Sequence, residues 1–334
     1  MSFHSPRPAL PRIVDCMRFL VSTLACVAMT AAAAAPQLPA MPPLDASMRI
    51  LVVSPHPDDE SLCCGGLVAT ARRIGAQVAI VWVTSGGGFR LDAMVVQKKA
   101  RPKAADMRAL ARRRIDEAQY AAEALGVDAD QLFFLGYPDR GVLKLLLDNY
   151  ESPYRSKYTG VNAVPWEQAL NPGSPYDGAS LERDFAQVIE RVRPTLVLAP
   201  SPYDAHPDHR ASGILAMRVL GARGKASRVK FWIVHGGRAW PTPRGLRSDL
   251  PQTPPPRGLA LPWEQFAVDR QAREAKRVAL RMHETQLKVM GRKMMSYVRT
   301  TELYSPLPVA ASDTRCIEAL PCLPEALPED EAAL

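Results

Sequence analysis

The 334-residue chain has little of several features that would point to common functional classes. Cysteine is scarce, at six residues, and no second pair stands at metal-ligand spacing from Cys63 and Cys64, which argues against a zinc cluster of cysteines. No Gly-rich G-x-G-x-x-G turn follows the first predicted strand, which argues against a dinucleotide cofactor. Lys and Arg number 42 against 34 Asp and Glu, but they form no basic block, so nucleic acid is not an expected partner.

Proline, in contrast, is abundant. The 31 prolines cluster in residues 1–57, 241–262 and 305–328. Such clusters are typical of leaders, linkers and tails rather than of regular secondary structure. We therefore expect the folded part of the chain to lie between the first and the last cluster.

The first 35 residues have the pattern of a secretory signal peptide. Arg7, Arg12 and Arg18 precede an uncharged run over residues 19–35 that ends in five alanines. This run is shorter than the roughly 20 apolar residues that a membrane-spanning helix needs, so no span is expected in the mature chain. We predict an exported protein, periplasmic or secreted, with a membrane anchor or a lipoprotein modified at Cys26 as the alternatives.

Export would place the remaining four cysteines in an oxidising compartment. Cys316 and Cys322 lie in the proline-rich tail, where they either close a short loop as a disulfide or remain free thiols. Cys63 and Cys64 are adjacent. Because a bond between neighbouring cysteines is strained, we expect these two to pack as small apolar side chains.

Apolar strand-like runs alternate with amphipathic helical patterns from residue 48 onward. Nearly continuous runs rich in β-branched and aromatic residues predict buried strands at residues 49–54, 77–84, 131–135, 195–199 and 229–234. Amphipathic stretches predict helices at residues 61–74, 103–125, 180–192, 208–221 and 269–290, the last packing back on the sheet. The alternation predicts an α/β fold, a Rossmann-like three-layer sandwich with a mostly parallel sheet.

One folded domain is predicted at residues 48–305, between the leader and a proline-rich tail at residues 306–334. Two segments interrupt its alternation of strands and helices. Residues 137–179 are too long for a simple connection, and their Tyr and Trp rings, among them Trp166, are predicted to line a substrate cleft as a long loop insertion. Residues 238–263 are predicted to form a proline-rich rim.

The first predicted strand runs into the sequence SPHPDDE at residues 54–60. Ligands of open α/β sheets bind beyond the carboxyl ends of the strands. His56 and Asp59 are three residues apart across a tight turn, so the imidazole and the carboxylate can converge on one cation with Asp58 beside it. Alternatively, the acids only favour the N-terminus of a helix.

The fourth predicted strand runs into PSPYDAHPDH at residues 200–209, which repeats the His-Pro-Asp triplet. If the first and fourth strands flank the point where the strand order reverses, both segments meet in one crevice. His56, Asp59 and His209 would then form a two-histidine, one-carboxylate site with a position open for water, as in catalytic zinc centres. Non-haem iron uses the same ligand set.

With these motifs, the sequence resembles the PIG-L/LmbE-like zinc-dependent de-N-acetylases, which remove acetyl groups from N-acetylglucosamine-containing substrates. The resemblance covers roughly residues 48–305 and depends mainly on the two His-Pro-Asp motifs. Three further segments support it: TSGG at 84–87, LGYPD at 135–139 and HETQ at 283–286.

The resemblance implies a role for each motif residue. The metal ligands are His56, Asp59 and His209, the general base is Asp58, a protonated His206 stabilises the oxyanion, and Asp208 orients His206. Independent chemistry agrees, because a carboxylate beside an activated water can take its proton and a histidine can stabilise the oxyanion. Some relatives carry a Tyr two residues before the oxyanion histidine, whereas this chain has Asp204 there.

Two further residues are candidate substrate contacts. Arg114 matches a family helix whose arginine faces the substrate, although the neighbouring Arg112 and Arg113 leave open a solvated helix face. Asp139, after the third strand, either accepts hydrogen bonds from sugar hydroxyls or only shapes a turn.

The predicted function is that of a metal-dependent hydrolase, a zinc N-deacetylase acting on an N-acetylated amino sugar in a glycan, glycolipid or glycoconjugate. Two alternatives remain: a hydrolase that uses the same metal site on another amide or ester, and a carbohydrate-binding protein without turnover. A binding protein would not need Asp58 beside a full ligand set, and this favours an enzyme.

Overall fold

A computed structural model of the chain describes residues 1–2 and 38–310. All helices and strands given below lie in the compact unit that begins at Leu38. The predicted signal peptide, and Cys316 and Cys322 in the tail, lie outside the described residues. Within that described part, no helix is both long and apolar enough to span a membrane.

Five parallel strands form the central sheet, in the order β3-β2-β1-β4-β5. Their bounds are β1 Arg49–Ser54, β2 Gln77–Thr84, β3 Leu132–Tyr137, β4 Leu196–Pro200 and β5 Val229–Trp232. The strands are almost wholly buried, as expected for apolar runs covered on both faces. The predicted α/β fold with a parallel sheet is confirmed.

Eight α-helices accompany the sheet in the described part of the chain. They are α1 Asp59–Arg73, α2 Arg90–Gln97, α3 Ala104–Ala124, α4 Val142–Leu147, α5 Gly178–Val192, α6 Pro207–Gly221, α7 Arg270–Met282 and α8 Glu284–Met295. A separate antiparallel pair consists of β6 Glu264–Ala267 and β7 Thr301–Tyr304. Sequence periodicity gave no indication of α2, α4 or this pair, which are all short.

The last helical stretch differs from its prediction in two ways. A single helix over 269–290 is wrong, because His283 has non-helical angles (φ −78°, ψ 59°) and separates α7 from α8. The expected packing of this stretch on the sheet is also wrong for α7, which packs mainly against α1 and α3. The apolar pattern runs through the break, so periodicity alone does not reveal it.

The contact between α1 and α7 is unusually close. A Cβ atom at Gly65 would lie 3.0 Å from Cγ of Lys276, so a larger residue there would require the lysine side chain to shift. The Lys276 ammonium is buried and donates to Glu302 Oε1 at 2.6 Å, and Glu302 also accepts from the Gly66 amide at 2.7 Å. The glycines of α1 therefore allow a buried ion pair to connect α7, β7 and α1.

The adjacent cysteines of α1 correct another expectation. Cys63 and Cys64 do not remain unpaired thiols, because their sulfur atoms are bonded to each other. Both side chains are buried, Cys64 completely, so they still fill apolar core space as expected.

Candidate metal and catalytic site

The two His-Pro-Asp segments meet because their strands are neighbours. β1 pairs directly with β4, with Ile50 opposite Leu196, and the sheet order reverses between them. The loop before α1 and the loop before α6 therefore leave the same edge of the sheet. This confirms the expected crevice at the carboxyl ends of the strands.

The three predicted metal ligands are neighbours, with Asp59 between the two histidines. Asp59 Oδ2 lies 3.1 Å from His56 Nδ1 and 3.0 Å from His209 Nε2. All three side chains are buried, His209 completely. The carboxylate oxygen thus stands between one nitrogen of each imidazole, the arrangement from which an ion could draw three ligand atoms.

Each of these histidines has a second carboxylate on its other nitrogen. His209 Nδ1 lies 3.2 Å from Asp204 Oδ2, and His56 Nε2 lies 3.2 Å from Asp208 Oδ2. Carboxylates in this position orient metal-bound histidines and fix the ring nitrogen that faces the ion. The outer carboxylates therefore assign His56 Nδ1 and His209 Nε2 as the nitrogens facing Asp59.

The site fits a divalent ion by its donor chemistry. Both ring nitrogens of the fully buried His209 have close carboxylates but no hydrogen bond of acceptable geometry. A buried polar atom without a hydrogen bond costs folding free energy unless a partner binds it. Three groups of described side chains have ligand atoms within 4.8 Å of one another: His56–His206–His209, His56–Asp139–His206–Asp208 and Asp59–His209–His235. The predicted ligands are spread over these groups, and no single group holds all three.

Asp204 is a site residue whose role the sequence analysis missed. Its carboxylate accepts from the amides of Val234 at 2.8 Å, His235 at 2.9 Å and His206 at 2.9 Å. Burial raises the pKa of Asp204, but His209, His235 and the His206 amide together hold it well below its usual range. Asp204 thus joins the loop after β4 to the end of β5 and supports His209 from behind.

Asp58 has the position expected of a base beside the ligands. It precedes α1 with φ at 132°, a conformation that non-glycine residues seldom adopt and that is typical of functional sites. Burial and the Asp59 carboxylate raise the pKa of Asp58 to about 7, while Arg114, with Nη2 3.4 Å from Asp58 Oδ2, acts in the opposite direction. A carboxyl group with such a pKa can both accept and return a proton near neutral pH.

Arg114 lies on α3 and reaches into the site. It is 3% exposed, so the alternative of a solvated helix face is wrong for this residue. Its guanidinium donates to the carbonyl of Pro57 at 2.6 Å and of Gly86 at 2.9 Å, and it also lies beside Asp58. Arg114 lines the cavity as expected, but its donors hold the loops after β1 and β2 together.

His206 and Asp208 differ from the roles that the resemblance implied. The Asp208 carboxylate accepts from the amides of Arg140 at 2.5 Å and Val142 at 3.1 Å and faces His56, so it does not orient His206. The Asp208 backbone does orient His206, because its amide donates to His206 Nδ1 at 3.2 Å. The accepting Nδ1 leaves the proton on Nε2.

The surroundings of His206 favour a neutral ring over the expected imidazolium. Burial, together with the imidazoles of His56 and His209, lowers the pKa of His206 well below its usual range. A neutral ring with the proton on Nε2 remains a hydrogen-bond donor. His206 lines the cavity in this form.

Asp139 also has partners that the sequence did not indicate. Its Oδ2 accepts from the Gly88 amide at 2.7 Å, and its Oδ1 lies 3.4 Å from His56 Nε2. The carboxylate thus helps hold the loop after β2 and orient His56. Asp139 lines the cavity. Its expected contact with sugar hydroxyls stays a prediction.

With this geometry established, the chain can be compared with known proteins. The family model for PIG-L, described as GlcNAc-PI de-N-acetylase, matches residues 51–220, just over half of the chain. The chain belongs to the PIG-L family. The family match covers the strands β1 to β4 and both His-Pro-Asp motifs.

Several curated proteins are similar to this PIG-L family member. A 1D-myo-inositol 2-acetamido-2-deoxy-alpha-D-glucopyranoside deacetylase from Kineococcus radiotolerans is 31% identical over 210 residues, 59% of this chain and 53% of that protein. Diacetylchitobiose deacetylase from Thermococcus kodakarensis is 25% identical over 185 residues, 54% of this chain and 52% of that protein. The inositol glucosaminide deacetylase of the same description from Nakamurella multipartita is 28% identical over 298 residues, 80% of this chain and 88% of that protein. The match thus spans about half the length of the first two relatives.

Glu60 is a second residue without a role in the sequence analysis. Its Oε2 accepts from Trp82 Nε1 at 2.9 Å and from the Asp58 amide at 3.1 Å, and its Oε1 lies 2.9 Å from His283 Nε2. Glu60 is completely buried. Glu60 holds the backbone amide of Asp58 and connects the loop between β1 and α1 to the break between α7 and α8.

The cavity in front of the ligands is open to solvent and is lined by both apolar and charged side chains. One wall comes from α8, which is kinked at Met290 (φ −125°, ψ 16°), and from the residues after it. It is formed by Gln286, Met290, Lys293, Met294 and Tyr297. The helical spacing of this wall was not apparent beforehand, because the predicted helix ended at residue 290. Leu62, Phe89 and Val234 add apolar surface from other elements.

The aromatic segment after β3 does not have its expected place. The described residues that line the cavity include none between 150 and 176, so the prediction that this segment lines the substrate cleft is wrong. Trp166 is 3% exposed and packs against Gly136, where any Cβ atom would meet the indole. The rings of this segment therefore serve the core, as Tyr176 also does.

Proposed function

We propose that this PIG-L family member is a metal-dependent N-deacetylase that hydrolyses the acetamide of an N-acetylated amino sugar. The observation that carries the proposal is the position of Asp58. Its carboxyl group, with a pKa of about 7, lies beside a convergent two-histidine, one-carboxylate set and on the wall of an open cavity. The deacetylase names of the relatives support the same reaction class.

We propose His56, Asp59 and His209 as the ligands and zinc as the ion, with iron as the other metal that suits this set. When bound, the ion supplies Lewis acidity toward water and the acetamide carbonyl. The outer carboxylates, Asp208 and Asp204, hold the two imidazoles in the orientation that ligation requires.

Asp58 begins the reaction as a general base. It accepts a proton from the water that attacks the acetyl carbonyl carbon, and the carbonyl oxygen acquires negative charge. Arg114 and the Glu60 side chain keep Asp58 in place from two sides.

His206 stabilises the charge that develops on the carbonyl oxygen. Its Nδ1 is engaged by the Asp208 amide, so its Nε2–H is the group that donates to this oxygen. A neutral donor does this without the cost of a buried imidazolium.

Asp58 then returns its proton to the amide nitrogen as the C–N bond breaks. The products are acetate and the free amine of the sugar. One carboxyl group thus serves first as base and then as acid. A pKa near the working pH suits both steps.

The two alternatives predict different products. A hydrolase of other amides or esters would release other acids, and a carbohydrate-binding protein would release none. The test is a screen of the metal-loaded protein against acetylated amino sugars and against amides and esters without a sugar, with acetate and free amine both measured. Turnover confined to substrates without a sugar would refute the amino-sugar proposal, and binding without turnover would refute an enzyme.

A further inference from the structure

The carboxylates that line the active-site cavity all have partners within the protein. Asp59 contacts His209 at 3.0 Å, Asp58 faces Arg114 at 3.4 Å, and Asp139 accepts from the Gly88 amide at 2.7 Å. The negative charge of the cavity is therefore already engaged by the site itself.

Two cations on the cavity wall have no such partner. Within residues 38–310, the side chains of Lys293 and Arg140 form no hydrogen bond or ion pair, although both line the cavity and both are half-buried. They come from different elements: Lys293 lies on α8, and Arg140 follows β3.

The two cations extend from backbone segments that border the cavity. Lys293 lies between Met290 and Tyr297 on the inner face of α8, and Tyr297 donates to the Val234 carbonyl at 2.5 Å. Arg140 has φ at 58°, and its amide is held by Asp208 at 2.5 Å.

A cation that is partly desolvated and lacks a partner costs free energy, and a ligand of opposite charge recovers it. Burial and the nearby Arg244 guanidinium lower the pKa of Lys293, while the carboxylates of Asp204, Asp58 and Asp59 act in the opposite direction without contacting it. An anion in contact with Lys293 would favour the charged ammonium and so oppose this lowering.

We propose that the substrate carries an anionic group, a phosphate or a carboxylate, in addition to its acetamido group, and that Lys293 binds this anion with Arg140 as a second cation. The inference rests on the proposed function, because it places the anion on the same amino sugar. It makes Lys293 a specificity-determining residue.

The test compares binding of neutral and anionic sugars to the metal-loaded full chain by calorimetry. The probes are N-acetylglucosamine, its 1-phosphate and N-acetylmuramic acid, so that phosphate and carboxylate are separate arms. We expect at least one anionic sugar to bind about 10- to 100-fold more tightly than the neutral sugar, the range of a charge-assisted hydrogen bond. Raised salt should reduce this preference.

Two variants and a control assign the preference to residues. Lys293→Gln should lower it about tenfold, and Lys293→Gln combined with Arg140→Gln should abolish it. Lys288→Gln removes the same charge from an exposed position on α8 outside the cavity and should leave the preference unchanged.

Equal affinity for neutral and anionic sugars in the unmodified protein would overturn the inference. It would also be overturned if Lys293→Gln retained the full preference, since the metal itself would then hold the anion. Preferential binding without acetate release would contradict the proposed function but support the anion site. Thermal melts of the variants check that they fold.

Discussion

Asp58→Asn separates the general base from the metal site at adjacent positions. Asparagine preserves the size of the side chain and tolerates positive φ better than most residues, so the backbone before α1 should keep its conformation. The amide oxygen can still accept from Arg114, and loss of one carboxylate relieves repulsion with Asp59. The variant should therefore fold and retain its metal.

The same substitution should nearly abolish turnover. An amide cannot take a proton from water at neutral pH, and loss of a general base costs about 10²- to 10⁴-fold in rate. Metal content and turnover are measured on the same preparations, with Asp59→Asn as the contrasting variant that should lose metal as well. Near-normal turnover of Asp58→Asn would refute the proposed mechanism even if the metal site were correct.

Four further outcomes follow from the structure. Asp204→Asn removes the carboxylate behind His209 and should weaken metal binding about 10- to 100-fold in a chelator competition; unchanged affinity would exclude the supporting role. Burial raises the pKa of Asp92 from 3.8 to about 6, so the folded protein binds this proton more tightly than the unfolded chain does. The resulting stabilisation of the folded protein is fully present below pH 3.8 and is lost as the pH rises through 6. Asp92→Asn should accordingly melt at a higher temperature than the unmodified protein at pH 8 but not at pH 4. An equal difference in melting temperature at the two pH values would contradict this. Trp166→Ala should cost about 3–5 kcal/mol of folding free energy without changing substrate preference, whereas a changed preference would restore a cleft role. Finally, we expect N-terminal sequencing of the exported protein to begin near residue 35, and recovery of the full-length chain in the cytoplasm would reject export.

The sheet and the convergence of the ligands could be predicted from the sequence because both depend on local patterns. Apolar runs of strand length predicted β1 to β5, and their alternation with helices predicted parallel pairing. The rule that ligands bind where strand order reverses then brought His56, Asp59 and His209 together. Each step needed only residues close in sequence, plus one topological rule.

The parts that could not be predicted depend on contacts between distant segments. Asp208 faces His56 rather than His206, because the amides of Arg140 and Val142 hold its carboxylate. Trp166 packs in the core because Gly136 leaves room for the indole, a contact that composition does not reveal. Aromatic content alone therefore favoured a substrate-binding role for this segment, whereas the packing of Trp166 in the core excludes that role for its indole.

Metal dependence of deacetylation tests the central claim most directly. Metal-free protein is titrated with zinc while acetate and free amine are measured from an N-acetylated amino sugar. The proposed site predicts that both products appear in equal amounts and that their rate rises until one equivalent is bound, whereas His209→Ala shows no such rise. Product release that is independent of added metal, or unaffected by loss of His209, would contradict the account.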